Sequence, residues 1–234
     1  MGYLASMAAY EPVSRRPISA TIRATAAMPV QWSVRHGIHP NLISYSSILA
    51  AGLAGLCLWQ ASSHPWLLIP AVAFCYLRLW LNMLDGMVAL AGGTASAAGE
   101  IINELPDRIS DVIIFVGVAH SGLCHPLSGY WAAILALLVA YVGTLGQAVG
   151  AHREFCGVMS KPWRMVALHI GSWISLGLIW WADGQVLYGR LTVLDWTCLA
   201  IIVGSVQTIW IRLSRVTRTL RALSVSGPAP RSQR

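Results

Sequence analysis

The sequence predicts an all-α integral membrane protein with six transmembrane helices and an amphipathic helix on the membrane surface near the N-terminus. Of the 234 residues, 56% are apolar and only 11% are charged, whereas about 25% of the residues in an average soluble domain are charged. The mean hydropathy is also high, at +0.61. Finally, the apolar residues gather into runs of about 20, which is the length that an α-helix needs to cross a bilayer.

Residues 17–28 are predicted to form the surface helix. It begins at Pro17, a favoured first helical residue, and apolar residues recur at every fourth position on one face. Pro29 is expected to end the helix, because proline has no backbone N–H to donate to the preceding turn. Residues 1–38 are therefore predicted to form a segment outside the membrane that contains this helix.

Six apolar runs follow and make up a predicted membrane domain of residues 39–212. They cover about residues 42–60, 66–90, 100–120, 127–150, 162–182 and 193–211. The first opens near Asn41, whose side chain can cap the helix. The fourth carries Gly143, Gly146 and Gly150, a stripe of small residues suited to close helix contact within or between subunits.

Basic residues indicate that both termini are cytoplasmic. They gather before the first span, in the loop between the fourth and fifth spans, and in a basic tail predicted at residues 213–234. The three loops on the other side hold only Arg190. Because loops rich in Arg and Lys stay on the cytoplasmic side, both termini and the start of the third span are predicted to lie at the cytoplasmic surface of the membrane.

The net charge of +7 favours anionic lipid headgroups as partners over nucleic acid. Fifteen Arg and one Lys lie mostly at the ends of apolar runs, and they are not interleaved with exposed aromatic residues. The five cysteines are scattered and make neither a disulfide framework nor a CxxC metal site. Membrane lipids are therefore predicted partners, and nucleic acid is not.

Acidic residues are concentrated around the loop that joins the second and third spans. This stretch holds five of the nine acids of the chain, which are Asp85, Glu100, Glu104, Asp107 and Asp111. On helices, Asn82 and Asp85 share one face, while Asn103, Asp107 and Asp111 share another. The two faces can meet around a hard cation such as Mg2+, Mn2+ or Ca2+.

A second interpretation is that these acids only pair with Arg78 and Arg108 to hold helices together. A charge near the centre of a transmembrane helix costs ~3 kcal/mol or more, so such groups usually serve a function. Arg78 lies inside an apolar run and is expected to face a lipid phosphate or Asp85. Asp111 either orients the site or pairs with Arg108.

The spacing of the acidic stretch matches a known signature. From Asn82 the chain reads NMLDGMVALAGGTASAAGEIINELPD. This resembles the signature of the CDP-alcohol phosphatidyltransferase family, in which DxxDGxxAR is followed by eight residues and GxxxDxxxD. Five positions fall in register without a gap, namely Asp85, Gly86, Ala89, Gly99 and Asp107. The sequence His-Pro-Asn-Leu-Ile-Ser at 39–44 is also similar to the PNxxT that often opens the family's first span.

Three residues depart from this signature. Asn82 stands at the first Asp position, Asn103 at the third, and Leu90 replaces the Arg. The chain therefore resembles a variant subfamily in which two of the four motif carboxylates are missing.

The resemblance implies a divalent-metal-dependent phosphoryl transfer. In the family, four Asp hold two divalent ions on the pyrophosphate of a CDP-linked lipid, and the last Asp takes a proton from an acceptor alcohol. Asp107 is thus implied as the catalytic base or a metal ligand. Further ligands of one or two weakly bound Mg2+ or Mn2+ ions are implied at Asp85, Asn82 and Asn103. Nucleotide or substrate binding is implied for Gly86, Ala89, Gly99, Asn41, Arg78, Arg153 and Lys161. Glu104, Arg108 and Asp111 are expected to lie behind these residues and to help hold them in place.

Two explanations remain open for the basic residues beside the site. Arg153, Lys161 and Arg164 follow the ordinary bias of cytoplasmic loops toward positive charge. They can also form a pocket for a phosphate on the acceptor or for the lipid headgroup.

The predicted function is transfer of a phosphatidyl group from CDP-diacylglycerol, or a similar CDP-lipid, to a small polar alcohol with release of CMP. This is a step of phospholipid biosynthesis, here on the cytoplasmic face. The resemblance also implies a homodimer in a bacterial inner membrane. The alternative is a catalytically impaired family member that binds nucleotide or lipid as a regulatory or partner subunit. A transporter or channel is disfavoured, because no broken helix carries polar groups at mid-membrane.

Overall fold

The computed structural model describes residues 20–181 and 190–225, and these residues form seven α-helices. The helices are α1 (Ala20–Arg35), α2 (Pro40–Trp59), α3 (Leu68–Ala91), α4 (Ala97–Ala119), α5 (Pro126–Ala148), α6 (Lys161–Trp181) and α7 (Val193–Val225). A single 3-10 turn at Pro65–Leu67 leads into α3. The all-helical prediction is confirmed for this part of the chain. The first three residues of the predicted surface helix, the loop around Gly184 and the tail beyond Val225 lie outside it.

Four of the described helices are long and apolar enough to cross a membrane: α2, α3 with its leading turn, α5 and α7. This confirms a helical membrane protein. Helices α4 and α6 have 23 and 21 residues, but charged side chains in their first turns lower their hydropathy. A count of six spans therefore stays a prediction.

The outer surface of the bundle suits a lipid environment. Large apolar side chains point outward along the spanning helices, including Leu49 on α2, Trp131 on α5 and Val203 on α7, which are 67%, 54% and 61% exposed. Soluble monomers do not usually leave large apolar patches in water. The buried core instead holds many small residues, which let the helices approach closely.

Histidine, rather than the predicted Asn41, caps the first spanning helix. His39 has an extended backbone, and its Nδ1 accepts a hydrogen bond from the Asn41 backbone N–H at 3.2 Å. The prediction was wrong because Pro40 takes the first helical position, which makes the residue before it the cap. Helix α5 begins in the same way, with His125 before Pro126.

Helix α1 passes through Pro29, which was expected to end it, and continues to Arg35. Ala26 and Ser33 are both buried, one on each side of the proline. Ala26 packs in a small core with Ile43 of α2 and Leu84 of α3. Tertiary packing of this kind stabilises a helix more than local propensity does. The amphipathic surface character of α1 stays a prediction.

Glycines set how closely α4 approaches its neighbours. A Cβ on Gly117 of α4 would lie 2.5 Å from the Gly55 carbonyl oxygen of α2, and a Cβ on Gly129 of α5 would lie 2.7 Å from Ala119. No side chain fits at those distances. The backbones of α2, α4 and α5 are therefore in direct contact, which fixes α4 against both helices.

The glycine stripe of α5 packs within the chain. A Cβ on Gly143 would lie 3.0 Å from Arg212 Nη1, and one on Gly146 would lie 2.7 Å from Val216 Cγ2, both on α7. Gly150 meets nothing within 4 Å and has a φ of +89°, beyond the end of α5. The first two glycines thus seat α7, which continues as a helix through residues 213–225 of the predicted tail.

The polar end of the bundle lies where four helix ends meet. The start of α2, the end of α3 and the starts of α4 and α6 come together there, and α3 packs against the other three helices. The acidic stretch that the sequence singles out lies on α3 and α4 at this end.

Candidate active site

Asp107 lies at the centre of the polar end, about three turns into α4. Its Oδ1 accepts hydrogen bonds from Asn82 Nδ2 of α3 and from Lys161 Nζ of α6. Arg78 Nη2 lies 3.8 Å from the same oxygen. No described residue donates to Asp107 Oδ2, so one oxygen of this carboxylate is held and the other is available.

Asp85 forms a second pocket beside it, at the junction of α2, α3 and α4. Ser44 Oγ donates to Asp85 Oδ2 at 2.6 Å, and the Gly86 N–H lies 2.6 Å from Oδ1. The side-chain amide of Asn103 lies 2.6 Å from Oδ2. Because a carboxylate oxygen only accepts, the nitrogen of that amide faces it. Asp85 is only 2% exposed, so these donors replace water around its charge.

The structure thus brings together the two Asp and two Asn of the motif. Asp85 contacts Asn103, and Asp107 contacts Asn82, in each case across the α3–α4 interface. The predicted i,i+3 and i,i+4 faces meet as expected. In addition, Asn82 Oδ1 is buried and has no hydrogen-bond partner among the described residues. A buried amide oxygen without a partner is costly, which marks this position as an acceptor open to a ligand.

Asp111 makes a separate, fully buried ion cluster one turn further along α4. Its Oδ1 lies 2.6 Å from Arg78 Nη2, and its Oδ2 lies 2.8 Å from Arg164 Nη2. Arg78 also donates to the Asp107 backbone oxygen at 2.9 Å. Of the two roles considered for Asp111, pairing with Arg108 is not found, because Arg78 and Arg164 occupy its oxygens. Arg78 faces Asp111 rather than Asp85, and its contact with a lipid phosphate stays a prediction. Helical spacing favoured Arg108, but residues from α3 and α6 come closer once the helices pack.

Glu104 lies on another face of α4 with two cations. Arg108 pairs with it from one turn along the helix, and Arg153 Nη2 reaches it at 2.7 Å from the loop between α5 and α6. This carboxylate therefore holds the basic loop near the site. It does not join Asp85 or Asp107 to add charge there, as the sequence suggested it would.

Three small motif residues shape the loop between α3 and α4. Ser96 caps α4 by accepting from the Gly99 N–H at 3.1 Å, and the Ala89 carbonyl accepts from the Thr94 N–H at 2.9 Å at the end of α3. A Cβ on Gly86 would lie 4.0 Å from Asn103 Nδ2, so Gly86 faces the α3–α4 seam. Asn41 lies on the first turn of α2 and makes no hydrogen bond to the motif carboxylates among the described residues.

The donor set does not fit a pair of divalent ions. Only two motif positions carry a carboxylate, and one of these, Asp107, already bonds an ammonium. Among the described residues, no group of three or more His, Cys, Asp or Glu is placed to hold a metal ion. The carboxylates of Asp85, Asp107 and Asp111 are matched by the cations of Arg78, Lys161 and Arg164, so the formal charge of these six groups is zero without an added ion.

Comparison with known proteins places the chain near lipid-synthesising enzymes. No family model matches the sequence. The chain is 29% identical over 194 residues to the inner membrane protein YnbA of Escherichia coli K12, covering 81% of this chain and 88% of that protein. It is 27% identical over 142 residues to the archaetidylinositol phosphate synthase of Methanothermobacter thermautotrophicus, covering 60% of this chain and 72% of the synthase.

The fold matches solved structures of a phosphatidylinositol phosphate synthase from Mycobacterium tuberculosis. The form with CDP-DAG bound superposes with a TM-score of 0.67 at 20% identity, covering 83% of this chain and 94% of the other. The form in complex with manganese and citrate gives a TM-score of 0.66 at 19% identity, covering 82% and 88%. At this identity the likeness shows a shared fold.

Three features of the site were missed in the sequence. Ser44, which bonds Asp85, lies 41 residues away in the chain, and Arg164 lies 53 residues from Asp111. Lys161 was predicted to bind nucleotide or substrate, which stays a prediction, and its bond to Asp107 was not foreseen. The one signal that could have pointed to Lys161 is that it is the only lysine among 234 residues.

Proposed function

We propose that the chain is a CDP-alcohol phosphatidyltransferase that moves a phosphatidyl group from CDP-diacylglycerol, or a similar CDP-lipid, to a small polar alcohol with release of CMP in phospholipid biosynthesis. The observation that carries the proposal is the meeting of Asp85 and Asp107 across α3 and α4, each bonded to the Asn at a matching motif position. The archaetidylinositol phosphate synthases among the relatives support it, as does a fold shared with a synthase that binds CDP-DAG.

Asp107 is the proposed general base. Its Oδ1 is fixed by Asn82 and Lys161, while no described residue donates to Oδ2. The acceptor O–H gives its proton to Oδ2, the acceptor oxygen bonds to the lipid-linked phosphorus, and the bond from that phosphorus to the CMP oxygen breaks. A positioned base of this kind speeds proton transfer about 10²–10⁴-fold.

Asp85 and its surroundings are the proposed nucleotide-side half of the site. Gly86 leaves the seam between α3 and α4 free of a side chain, so that a diphosphate can approach the backbone there. Binding to Ala89 and Gly99 at the loop between the two helices is part of the same proposal. Asn82 Oδ1 and Asn103 line the same seam. Of the predicted Mg2+ or Mn2+ ions, these oxygens and Asp85 offer a place for one at most, and its binding stays a prediction.

The basic loop is the proposed side of entry for the anionic substrate. Arg153 is held there by Glu104 at 2.7 Å, and Arg78 is held by Asp111. Guanidinium groups fixed in this way are well suited to phosphate oxygens. A cytoplasmic site, cytoplasmic termini and a homodimer are parts of the same proposal.

A second candidate function is binding without turnover, as a regulatory or partner subunit. Two observations favour it: amides replace two motif carboxylates at Asn82 and Asn103, and Lys161 occupies one oxygen of the proposed base. In this case the chain binds a CDP-lipid and releases no CMP.

The test is a CMP-release assay on the full chain in lipid nanodiscs. CDP-diacylglycerol is supplied with a panel of polar alcohols, with and without a phosphate group, in Mg2+, in Mn2+ and in EDTA. The proposal expects CMP release that depends on one class of acceptor and is lost in Asp85→Asn. Asp195→Asn, the same change at the other end of the bundle, is the control and should keep its rate per folded chain. Binding of CDP-diacylglycerol without CMP release from any acceptor would support the second function.

A further inference from the structure

We propose that the ammonium of Lys161 is a built-in cation of this site and takes the place beside Asp107 that a second divalent ion would need. This inference rests on the proposed function and names the group that neutralises charge during the transfer. Lys161 is 6% exposed, and its Nζ bonds Asp107 Oδ1. It comes from the first residue of α6, so a packed helix rather than a loose loop holds the charge in place.

The identity of the residue supports a metal-like role. Fifteen of the sixteen basic residues in the chain are Arg, and the single Lys stands at this point. An ammonium is a compact point charge, whereas the guanidinium of Arg is a planar fork that needs more room. A site that requires a compact cation next to a carboxylate selects Lys, even in a chain that otherwise uses Arg.

The motif substitution at Asn82 is explained by the same charge. With Asp at position 82, two carboxylates would face each other across α3 and α4, and a divalent ion would be needed between them. With Asn82, the amide nitrogen donates to Asp107 and no ion is needed between the two side chains. Lys161 then supplies the positive charge, and the six charged groups of the site sum to zero. Asn82 and Lys161 therefore act together on Asp107, while Asn103 contacts Asp85.

The arrangement also opposes a second ion directly. A divalent cation on Asp107 would lie within a few ångströms of the Lys161 ammonium and of Arg78, which is 3.8 Å from Asp107 Oδ1. Repulsion between such charges is strong where water is excluded. Asp107 Oδ1 is the only acceptor that Lys161 contacts among the described residues, so its other two N–H groups remain for phosphate oxygens of the substrate.

The test counts Mn2+ ions rather than turnover. The purified full chain in phosphatidylcholine nanodiscs is titrated with Mn2+, and free Mn2+ is followed by electron paramagnetic resonance. The wild type should bind no more than one ion per chain. Lys161→Met should bind Mn2+ about tenfold more tightly, because it frees a carboxylate and removes a like charge. The triple variant Asn82→Asp, Asn103→Asp, Lys161→Met should bind two.

The matched control is Lys161→Arg, which keeps a positive charge beside Asp107 although its guanidinium fits less well, so its Mn2+ affinity should stay within a few-fold of the wild type and below that of Lys161→Met. Two Mn2+ ions on the wild type would overturn the inference without any variant being needed. An unchanged affinity in Lys161→Met, with the elution volume of a folded chain, would overturn it as well. Because the count does not depend on catalysis, it stands even if no acceptor yields CMP, and the two proposals can fail separately.

Discussion

One carboxylate at one end of the helical bundle and three at the other have different kinds of hydrogen-bond and ion-pair partners. At one end, Asp195 of α7 accepts from the backbone N–H groups of His125 and Thr192 at 2.8 and 3.1 Å. It also accepts from the hydroxyls of Ser128 and Thr192 at 2.9 and 3.1 Å. These oxygen and nitrogen donors are all neutral. Both oxygens of this carboxylate accept hydrogen bonds, and these bonds link the α4–α5 loop and the start of α5 to α7.

At the other end, Asp107 and Asp111 pair with buried cations, Asp85 accepts from neutral donors, and some acceptors stay open. Asn82 Oδ1 is buried without a partner among the described residues, and no described residue donates to Asp107 Oδ2. A structural carboxylate needs every oxygen satisfied, as at Asp195. Spare acceptors beside buried cations instead indicate a place where a charged substrate completes the set of contacts. The comparison also divides the second group, because Asp111 is fully paired and Asp107 is not.

The largest expected effect is on activity, at Asp107. Asp107→Asn keeps the size of the side chain but removes the proposed base, so CMP release should fall about a thousandfold. The variant should still elute as a folded chain. A rate within a few-fold of the wild type would show that Asp107 does not act as the base.

Next is a loss of stability at Asp111. Asp111→Asn leaves Arg78 and Arg164 buried with too little negative charge, and breaking such a cluster costs about 3 kcal/mol or more. Thermal unfolding in detergent, followed by tryptophan fluorescence, should show a clear fall in melting temperature. The matched control is Glu154→Gln, whose partner Arg215 is 57% exposed at 3.7 Å, and a surface pair of that kind contributes about 1 kcal/mol or less. Equal shifts in the two variants would contradict a structural role for Asp111.

A smaller loss of stability, with no loss of activity, is expected at Asp195. Asp195→Asn turns one acceptor oxygen into a donor that faces other donors, which costs about 2 kcal/mol. The melting temperature should fall, while CMP release per folded chain stays that of the wild type. A specific loss of turnover would mean that the two ends of the bundle are coupled.

The smallest effect is expected at Ser44. Ser44→Ala removes the 2.6 Å hydrogen bond to Asp85 Oδ2, and a hydrogen bond to a charged group contributes about 1.5 kcal/mol or slightly more. CMP release should fall about tenfold. Ser47→Ala is the control, since its hydroxyl bonds the Ser44 backbone oxygen on the same buried side of α2. If both variants lose the same activity, the effect belongs to the packing of α2 and not to Asp85.

Local spacing was enough to predict that the Asn and Asp residues of the motif meet between α3 and α4. The i,i+3 relation of Asn82 and Asp85 and the i,i+4 relation of Asn103 and Asp107 put each pair on one helix face, and an intervening loop of small residues predicted that the faces meet. The all-helical class and the membrane environment likewise followed from composition and from the length of the apolar runs. These inferences depend only on neighbours in the sequence.

What the sequence could not provide was the choice of partner for each charge. Arg108 is one turn from Glu104 and close to Asp111 along α4, yet Asp111 pairs with Arg78 of α3 and Arg164 of α6. That choice depends on how three helices pack. Packing also decides where α1 ends, because burial of Ala26 against α2 and α3 outweighs the local tendency of Pro29 to end the helix.

The most direct measurement follows the lipid itself. CDP-diacylglycerol with a radiolabelled acyl chain is incubated with the full chain and the acceptor that gives the most CMP, and the lipids are separated by thin-layer chromatography. The account predicts one CMP for each labelled lipid that carries the acceptor, and about a thousandfold less of that lipid from Asp107→Asn. Label that remains in CDP-diacylglycerol with every acceptor, or that appears only in phosphatidic acid, would contradict phosphatidyl transfer to an alcohol.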